Sequence, residues 1–398
     1  MDFDLDRARH DTPGANNVAH LNNAGAALPP TQVTEAVIAH LRREAEIGGY
    51  EAAEDAAGQV ESTYAAIARL LNCTTDEVAL VENATRAWDM AFYGMSFAPG
   101  DRILTGRAEY ASNVIAFLQA AARTGARVEV VDDDEHGQIS IADLRRRVEI
   151  GHGGAGTVKL IAVTHVPSHG GLVNPVEEVG AVAREAGVPF LLDACQSVGQ
   201  MPIDVERIGC DMLTATGRKF LRGPRGTGFL YVRSSMIERL EPPFLDLHAA
   251  TWTAPDQFRV RTDARRFETW ETNYAGRIGL GVAVDYALSW GLDAIETRVT
   301  ALADVLRGRL KSVEGVRVHD QGKRRCGLVT FTVAGVGAQE VHKQLRGRSV
   351  NTSVSLADYA RFDLPQRGVR DLVRASAHYY NDEQEIDQLI DALPAPRS

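Results

Sequence analysis

One lysine stands in a setting that suggests chemistry. The segment TATGRKFLRGPRGTGFLYV, residues 214–232, reads as a strand, an interruption rich in glycine and proline, and a second strand. Lys219 lies directly after the first of these strands. An amine delivered to the end of a core strand is placed to act as a nucleophile. A lysine beside such a turn is also compatible with an ordinary solvated loop.

A carboxylate lies a short distance upstream of this lysine. In PFLLDACQSVGQ, residues 189–200, an apolar run ends on Asp193, and Gln196 follows three residues later. An aspartate in this place can serve simply as a cap or turn residue. Its chemical interest comes from its combination with the lysine and with the third feature below.

The third feature is a helix that opens directly after a strand. EVALVE is followed by NATRAWDMAFYGM, so Ala84 and Thr85 start the predicted helix. Free backbone N–H groups and a hydroxyl at a helix start suit a phosphate, although Thr85 could equally act as a helix cap. A lysine that forms a Schiff base, an aspartate that keeps a pyridinium nitrogen protonated and a phosphate cup together indicate a pyridoxal phosphate site.

The elements around these residues alternate between strand and helix. This alternation predicts an α/β fold with a mainly parallel, doubly wound sheet, whose ligands bind outside the carboxyl ends of the strands. Polar residues collect at those predicted ends, and we expect them to meet in one crevice. They are Asn83, Ala84, Thr85, Glu109, Tyr110, Ser112, Asn113, Ser168, His169, Asp193, Gln196, Thr216, Arg218 and Lys219.

The pattern predicts two domains and an N-terminal arm. We assign residues 1–25 to the arm, 26–288 to a large domain and 289–398 to a smaller α+β C-terminal domain. The boundary falls in a region that reads as one long helix or a helix pair, because the apolar pattern changes after about residue 285.

Composition argues against several classes of protein. The chain has 398 residues, a net charge of −10 and a pI of about 5.6, which disfavour binding to nucleic acid or to an anionic membrane. Four scattered cysteines form no CxxC pair, so we expect neither a metal site nor a disulfide framework. The polar N-terminus is unlike a signal peptide, and no apolar run approaches the ~18 residues of a membrane span. We therefore expect a cytoplasmic protein.

Five segments together resemble one known family. LLDACQSVGQMPIDV and TATGRKFLRGPRGTGFLYV, with HLNNAGAALPP, RFETWETNYAGRIGLG and VRASAHYYNDEQEIDQLIDAL in the right order, are similar to class V aminotransferases and cysteine desulfurases. The resemblance covers nearly the whole chain. It implies the fold type I architecture of pyridoxal phosphate enzymes and pyridoxal 5′-phosphate as the cofactor.

The resemblance also implies roles for individual residues. Lys219 would form the Schiff base, and Asp193 would pair with the pyridine nitrogen. The remaining cofactor-binding positions are Gln196 and Ser168 near the ring hydroxyl, Ala84, Thr85 and Thr216 at the phosphate, Tyr110 stacked on the ring where many relatives have histidine, and Arg218 beside the phosphate or the Schiff base.

For the substrate, the resemblance implies that Arg374 binds the α-carboxylate, a target that suits a guanidinium fork. It adds Asn23, Asn273 and Arg277 to the substrate-binding residues. The last two belong to the segment that reaches the neighbouring subunit's site in this family, so a homodimer is expected.

The reaction is left open by the family motifs, because this scaffold supports several chemistries. Desulfurases carry a catalytic cysteine on a small-domain loop, and the corresponding residues 346–369 contain none. Cys195 and Cys326 read as structural. We therefore expect β-elimination from an S-substituted cysteine, as in the C–S lyases that VNTSVS and EAEIGGYEAAE resemble, such as hercynylcysteine sulfoxide lyase and lincosamide-pathway enzymes that process S-cysteinyl groups.

Other outcomes remain compatible with the same residues. They are oxidative deamination coupled to decarboxylation, transamination, and epimerisation of the isopenicillin N type. A non-catalytic domain that merely keeps the fold is disfavoured, because Lys219 and Asp193 are both present.

Overall fold

The computed structural model describes residues 3–151 and 156–397, and it confirms the predicted α/β architecture. A seven-stranded sheet forms the centre of the larger part, and a four-stranded sheet forms the C-terminal part. The strands are β1 Ala19–His20, β2 Val78–Val81, β3 Arg102–Thr105, β4 Arg127–Val130, β5 Val158–Thr164, β6 Phe190–Asp193, β7 Met212–Thr216, β8 Gly228–Val232, β9 Ala250–Ala254, β10 Gln257–Val260, β11 Val316–Val318, β12 Leu328–Val333, β13 Val350–Asn351, β14 Ser353–Leu356 and β15 Asp371–Ser376.

Helices cover both faces of the central sheet, and others pack against the C-terminal sheet. They are α1 Leu5–His10, α2 Thr31–Ile47, α3 Gly49–Asp55, α4 Ala57–Leu71, α5 Ala84–Phe92, α6 Ala111–Thr124, α7 Ile141–Gly151, α8 Val176–Ala186, α9 Val205–Ile208, α10 Ser234–Ile237, α11 Tyr274–Trp290, α12 Leu292–Ser312, α13 Ala338–Gly347 and α14 Glu383–Asp391.

The central sheet has the order β2-β8-β7-β6-β5-β3-β4. The five strands from β7 to β4 are parallel to one another, and β8 runs antiparallel to both β7 and β2. Strands β6, β7 and β8 are entirely buried, which is why apolar residues predominate in them and do not alternate strictly with charged ones. The predicted mainly parallel sheet is therefore confirmed.

The turn into β8 keeps the lysine at the edge where the parallel strands end. Thr216 at the end of β7 pairs with Gly228 at the start of β8, so residues 217–227 form a loop at the carboxyl edge. Lys219 lies in this loop, two residues after Gly217. The strand, interruption and second strand that were predicted from the sequence are all present.

A buried arginine connects this loop with both ends of the chain. Arg222 has a positive φ of 62°. It donates to the carbonyl of Leu28 at 2.8 Å, to the hydroxyl of Tyr379 at 2.7 Å and to the hydroxyl of Thr12. The loop that carries the lysine is thereby attached to an N-terminal and a C-terminal segment at once.

The N-terminal segment pairs with the C-terminal part of the molecule. Strand β1 is parallel to β13, with Ala19 opposite Val350 and His20 opposite Asn351. The C-terminal sheet itself is antiparallel throughout, in the order β11-β12-β15-β14. The predicted arm thus includes the strand β1. A strand of two residues is too short to show a periodic pattern in the sequence.

The helical region near the predicted domain boundary is a helix pair. Helix α11 ends at Trp290, α12 begins at Leu292, and the two axes differ by 80° across Gly291, whose φ is 80°. Among the described residues, no single helix has the length and apolarity needed to cross a membrane, and only this bent pair reaches them jointly. The division at residues 288 and 289 stays a prediction.

A hairpin that the sequence did not reveal projects from the larger part of the molecule. Strands β9 and β10 are antiparallel and form a sheet of their own. Trp252 and Phe258 face each other across the hairpin and are 71% and 63% exposed. Large aromatic side chains so exposed are characteristic of surfaces that contact another molecule.

Candidate active site

A cavity of about 490 Å³ lies at the carboxyl edge of the central sheet. Its wall is built from the ends of β2, β5, β6 and β7 and from the starts of α5 and α6. Nine of the predicted site residues line it: Ala84, Thr85, Tyr110, Ser168, Asp193, Gln196, Thr216, Arg218 and Lys219. The crevice expected from the strand ends is therefore present, but Glu109, Ser112 and His169, which were also expected in it, are not among its wall residues.

Lys219 is held in a setting that favours the neutral amine. Burial lowers its pKa, because the charged form loses its hydration. Arg218 and Arg374 act in the same direction by charge repulsion, whereas Asp193 opposes them. A neutral amine is the form that can attack a carbonyl carbon or accept a proton.

Asp193 presents a buried carboxylate with both oxygens held by hydrogen bonds. Its Oδ1 accepts from the backbone N–H of Cys195 at 2.9 Å, and its Oδ2 accepts from Nδ2 of Asn113 at 3.0 Å. The residue ends β6, and its side chain is almost inaccessible to solvent. These contacts fix the plane of the carboxylate on the cavity wall.

Behind Asp193 lies a second buried acid, Glu109. Its oxygens accept hydrogen bonds from Thr105, Thr164, Asn113 and the N–H of Tyr110. Burial raises the pKa of Glu109 to about 7; the charge of Asp193 adds to this rise, while the hydrogen bonds lower it. Asn113 thus donates to both carboxylates and links them.

The start of α5 forms the phosphate side of the cavity. Asn83 caps the helix by accepting from the N–H of Arg86 at 2.9 Å, which leaves the N–H groups of Ala84 and Thr85 outside that bond. A Cβ at Gly228 would lie 2.7 Å from the carbonyl oxygen of Ala215 and 2.8 Å from the carbonyl carbon of Asn83. Glycine at that position therefore allows β7, β8 and the helix start to approach closely.

Gln196 leaves one polar atom without a partner. Its Nε2 donates to the carbonyl of Ala24 at 3.0 Å, but its Oε1 is buried and has no hydrogen-bond partner among the described residues. Burying an unpaired acceptor is costly, so its position on the cavity wall suggests that a ligand donor completes it.

Arg374, on β15 of the C-terminal sheet, lies beside the cavity next to the wall residue Ser168, but it is not itself one of the wall residues. Its Nη1 donates to the carbonyl of Ser168 at 3.3 Å, and its Nε is buried without a partner in the described part of the chain. Burial lowers its pKa to about 10. A buried guanidinium whose Nε is unpaired in this way is poised to bind an anion.

The structure does not bring Asn23 to the cavity. Its Nδ2 donates to the carbonyls of His20 and Ser376 at 3.0 and 2.7 Å, and its Oδ1 accepts from the hydroxyl of Tyr380. These bonds use its polar atoms to join the N-terminal segment to the C-terminal part. The substrate contact that the resemblance implied for Asn23 therefore stays a prediction, and within this chain the side chain has structural partners.

Asn273 and Arg277 also lie away from the cavity of their own chain. Asn273 caps α11 by accepting from the N–H of Gly276 at 2.8 Å. Arg277 is buried, lies 3.2 Å from the carboxylate of Glu268 and donates to the carbonyl of Leu80. Within one chain, both residues have structural partners.

Some wall residues were not assigned a role from the sequence. Thr164 ends β5, Asn113 lies in the first turn of α6, and Arg225 lies in the lysine loop; all three line the cavity. Asn113 was recognised only as a polar residue near a strand end. Its link between two carboxylates depends on contacts across 80 residues of sequence, which local patterns do not encode.

The residues present fit pyridoxal phosphate. The cavity offers an amine with a lowered pKa, a fixed carboxylate, a helix start whose first N–H groups lie outside the Asn83 cap and, among the described residues, an unpaired acceptor at Gln196. These are the groups needed for the aldehyde, the ring nitrogen, the phosphate and the ring hydroxyl of this cofactor.

Known proteins resemble this chain over nearly its full length. A probable cysteine desulfurase of Xylella fastidiosa strain Temecula1 is 32% identical over 98% of this chain and 95% of its own. The apo structure of a cysteine desulfurase from Thermococcus onnurineus NA1 superposes with a TM-score of 0.88 at 26% identity, over 98% of this chain and 97% of the other. The structure of a C-DES lysine-to-alanine mutant with glycine covalently linked to the PLP cofactor gives a TM-score of 0.84 at 25% identity, over 96% of this chain and 98% of the other.

The family profile described as Aminotransferase class-V matches residues 19–389, which include both sheets and the whole cavity. With the cavity chemistry above, this match identifies the chain as an enzyme that uses pyridoxal phosphate. The protein belongs to the class V aminotransferase family.

Proposed function

We propose that this enzyme cleaves the C–S bond of an S-substituted cysteine by β-elimination. With one water molecule, the substrate gives a thiol, pyruvate and ammonia. The observation that carries the proposal is the lack of a usable thiolate: of the four cysteines, Cys195 alone lines the cavity, and burial raises its pKa well above its ordinary value. Elimination needs no protein thiolate, whereas desulfuration does.

The other three thiols lie elsewhere and are equally unsuited to nucleophilic attack. Cys210 and Cys326 are buried, and burial raises the pKa of Cys326 to about 11. Cys73 lies near Glu77, and burial together with that charge raises its pKa to about 12. Each would be a neutral thiol near pH 7.

The segment between β14 and β15 also contains no cysteine. Within it, Leu364 packs with Ala360 and Leu372 in a small apolar cluster of its own. Asp363 lies 3.1 Å from Nε2 of His169 and 3.0 Å from Arg367. This segment, where related desulfurases carry their reactive cysteine, is packed against the larger part of the molecule.

Residues in and beside the cavity would supply the remaining functions. Arg374 would hold the α-carboxylate, and Lys219, whose pKa burial lowers, would remove the proton from Cα. Asp193 would keep the ring nitrogen protonated. When bound, pyridoxal phosphate would supply the electron sink that stabilises the electron pair left at Cα, so that the sulfur group can leave Cβ.

The first prediction concerns the reaction. Replacing Cys73, Cys195, Cys210 and Cys326 together by alanine or serine should retain turnover, since no thiolate takes part. Wild type and variant should both release pyruvate from a panel of S-substituted cysteines, measured by mass spectrometry. Alanine together with an enzyme-bound persulfide would show desulfuration, and strict dependence on an added keto acid would show transamination; either would reject elimination.

The second prediction concerns the cofactor. Lys219→Ala should abolish the visible absorption band of the bound cofactor and reduce turnover to background, because no other lysine in the described part of the chain lines the cavity. Lys343→Ala, which removes an exposed lysine on α13, is the matched control and should keep both. A visible band that persists in Lys219→Ala would rule out this lysine as the covalent anchor.

The third prediction concerns the carboxylate. Arg374→Leu should lower kcat/KM by roughly 10- to 100-fold, the equivalent of the roughly 1.5–3 kcal/mol that a charge-assisted hydrogen bond contributes. Arg370→Leu alters an exposed neighbour and serves as the control. Steady-state kinetics that are unchanged in Arg374→Leu would assign carboxylate binding to another residue.

We also propose that the enzyme is a homodimer. The exposed pair Trp252 and Phe258, with Trp270 nearby in sequence and 55% exposed, supports a covered surface at the β9–β10 hairpin. Trp252→Lys combined with Phe258→Lys should shift the protein from dimer to monomer in sedimentation velocity, with an unchanged circular dichroism spectrum. A wild-type protein that sediments as a fully active monomer would refute the dimer.

A further inference from the structure

We propose that Glu109 is a positioning residue for the cofactor: through the amide of Asn113, its carboxylate orients Asp193 and places a second negative charge behind the pyridine nitrogen. The inference goes beyond the proposed reaction. It rests on the assignment of Asp193 to the cofactor ring and not on which bond of the substrate breaks.

Glu109 itself cannot touch a substrate. It is 3% exposed and is not part of the cavity wall, whereas its neighbours Asn113 and Thr164 are. Any influence on the chemistry must therefore come from its charge or pass through the residues that it contacts.

The surroundings of Glu109 are arranged to receive a carboxylate. Oε1 accepts from the N–H of Tyr110 at 2.8 Å, from Nδ2 of Asn113 at 2.9 Å and from the hydroxyl of Thr164. Oε2 accepts from the hydroxyl of Thr105 at 3.0 Å and from the N–H of Thr164 at 3.1 Å. Donors in this number favour the ionised form and hold the carboxylate in one orientation.

Asn113 connects the fixed carboxylate of Glu109 to that of Asp193. Its Nδ2 carries two hydrogens and cannot accept a hydrogen bond. It donates to Glu109 at 2.9 Å and to Asp193 at 3.0 Å. An amide nitrogen held between two carboxylates has one favourable orientation. Asp193 consequently receives a fixed donor at Oδ2, in addition to the N–H of Cys195 at Oδ1.

The charge arrangement is unfavourable until a cation arrives. Two buried carboxylates joined by one amide repel each other, and burial penalises both. In agreement, burial and Asp193 raise the pKa of Glu109 to about 7, although its hydrogen bonds oppose the rise. A protonated ring nitrogen at Asp193 would relieve the repulsion, so the two acids together favour the protonated ring more than Asp193 alone would.

Among the described residues, few charged groups lie near Glu109 and Asp193. The partners of Glu109 from β3, α6 and β5 are the uncharged Thr105, Asn113 and Thr164, and Asp193 at the end of β6 is the acid that acts on it. From the lysine loop, Lys219 is coupled electrostatically to Asp193. Removing the charge of Glu109 should therefore lower the pKa of the ring nitrogen.

The test uses full-length protein loaded with pyridoxal phosphate that is labelled with ¹⁵N in the ring, without substrate. The ¹⁵N chemical shift is followed against pH, because it reports protonation of the ring nitrogen directly. In Glu109→Gln the midpoint of deprotonation should fall by about one pH unit relative to wild type, the low end of the effect of a nearby charge. Glu109→Asp, which keeps the charge, should restore part of the shift.

Two further variants make the outcome decisive. Asn113→Ala removes the amide that joins Glu109 to Asp193, and it should shift the midpoint of deprotonation in the same direction as Glu109→Gln. This variant tests the proposal if Glu109→Gln does not fold. Asn174→Ala is the matched control, since Asn174 is an equally buried asparagine that donates to the carbonyl of Thr164 at 2.7 Å, and its midpoint should match wild type. A wild-type midpoint in folded, loaded Glu109→Gln or Asn113→Ala overturns the proposal, as does an equal shift in Asn174→Ala. A wild-type protein that takes up no cofactor would instead refute the cofactor assignment itself.

Discussion

The burial of charge at the carboxyl edge of the central sheet is the constraint on which the rest of this structure depends. Asp193 and Glu109 are buried and Lys219 and Arg374 are half-buried, so each charge would be costly there alone. The fold offsets this cost with donors from β3, β5 and α6 for the acids. Arg374 has a hydrogen bond to the carbonyl of Ser168, but its Nε has no partner among the described residues. An incompletely paired cation suits a site that binds anionic groups.

The elements beyond the sheet serve to close and hold this edge. The antiparallel return of β8 keeps the lysine loop at the carboxyl edge, and Arg222 fastens that loop to Thr12, Leu28 and Tyr379. The C-terminal sheet then brings Arg374 against Ser168. The same frame holds Arg374 beside the cavity, whereas the thiol that lines the described cavity wall, Cys195, has a pKa that burial raises.

Much of this arrangement could be predicted from sequence because parallel strands end at a common edge. An apolar run such as that of β6 identifies a buried strand, and the polar residues at the ends of such strands are then expected to converge. Other features depend on contacts between distant segments. Asn23 matched a family motif, yet its side chain is bound to Ser376 and Tyr380, more than 350 residues away. The two-residue strand β1 and the link from Glu109 to Asp193 have no local signature at all.

The central claim is that the buried amine of Lys219 is the covalent anchor of the cofactor in this cavity. Borohydride reduction of the loaded protein, followed by peptide mapping with mass spectrometry, tests it most directly. We predict one modified peptide, which contains Lys219 and carries the mass of the reduced cofactor. Modification at another lysine, or none in a protein that is loaded and folded, would contradict it.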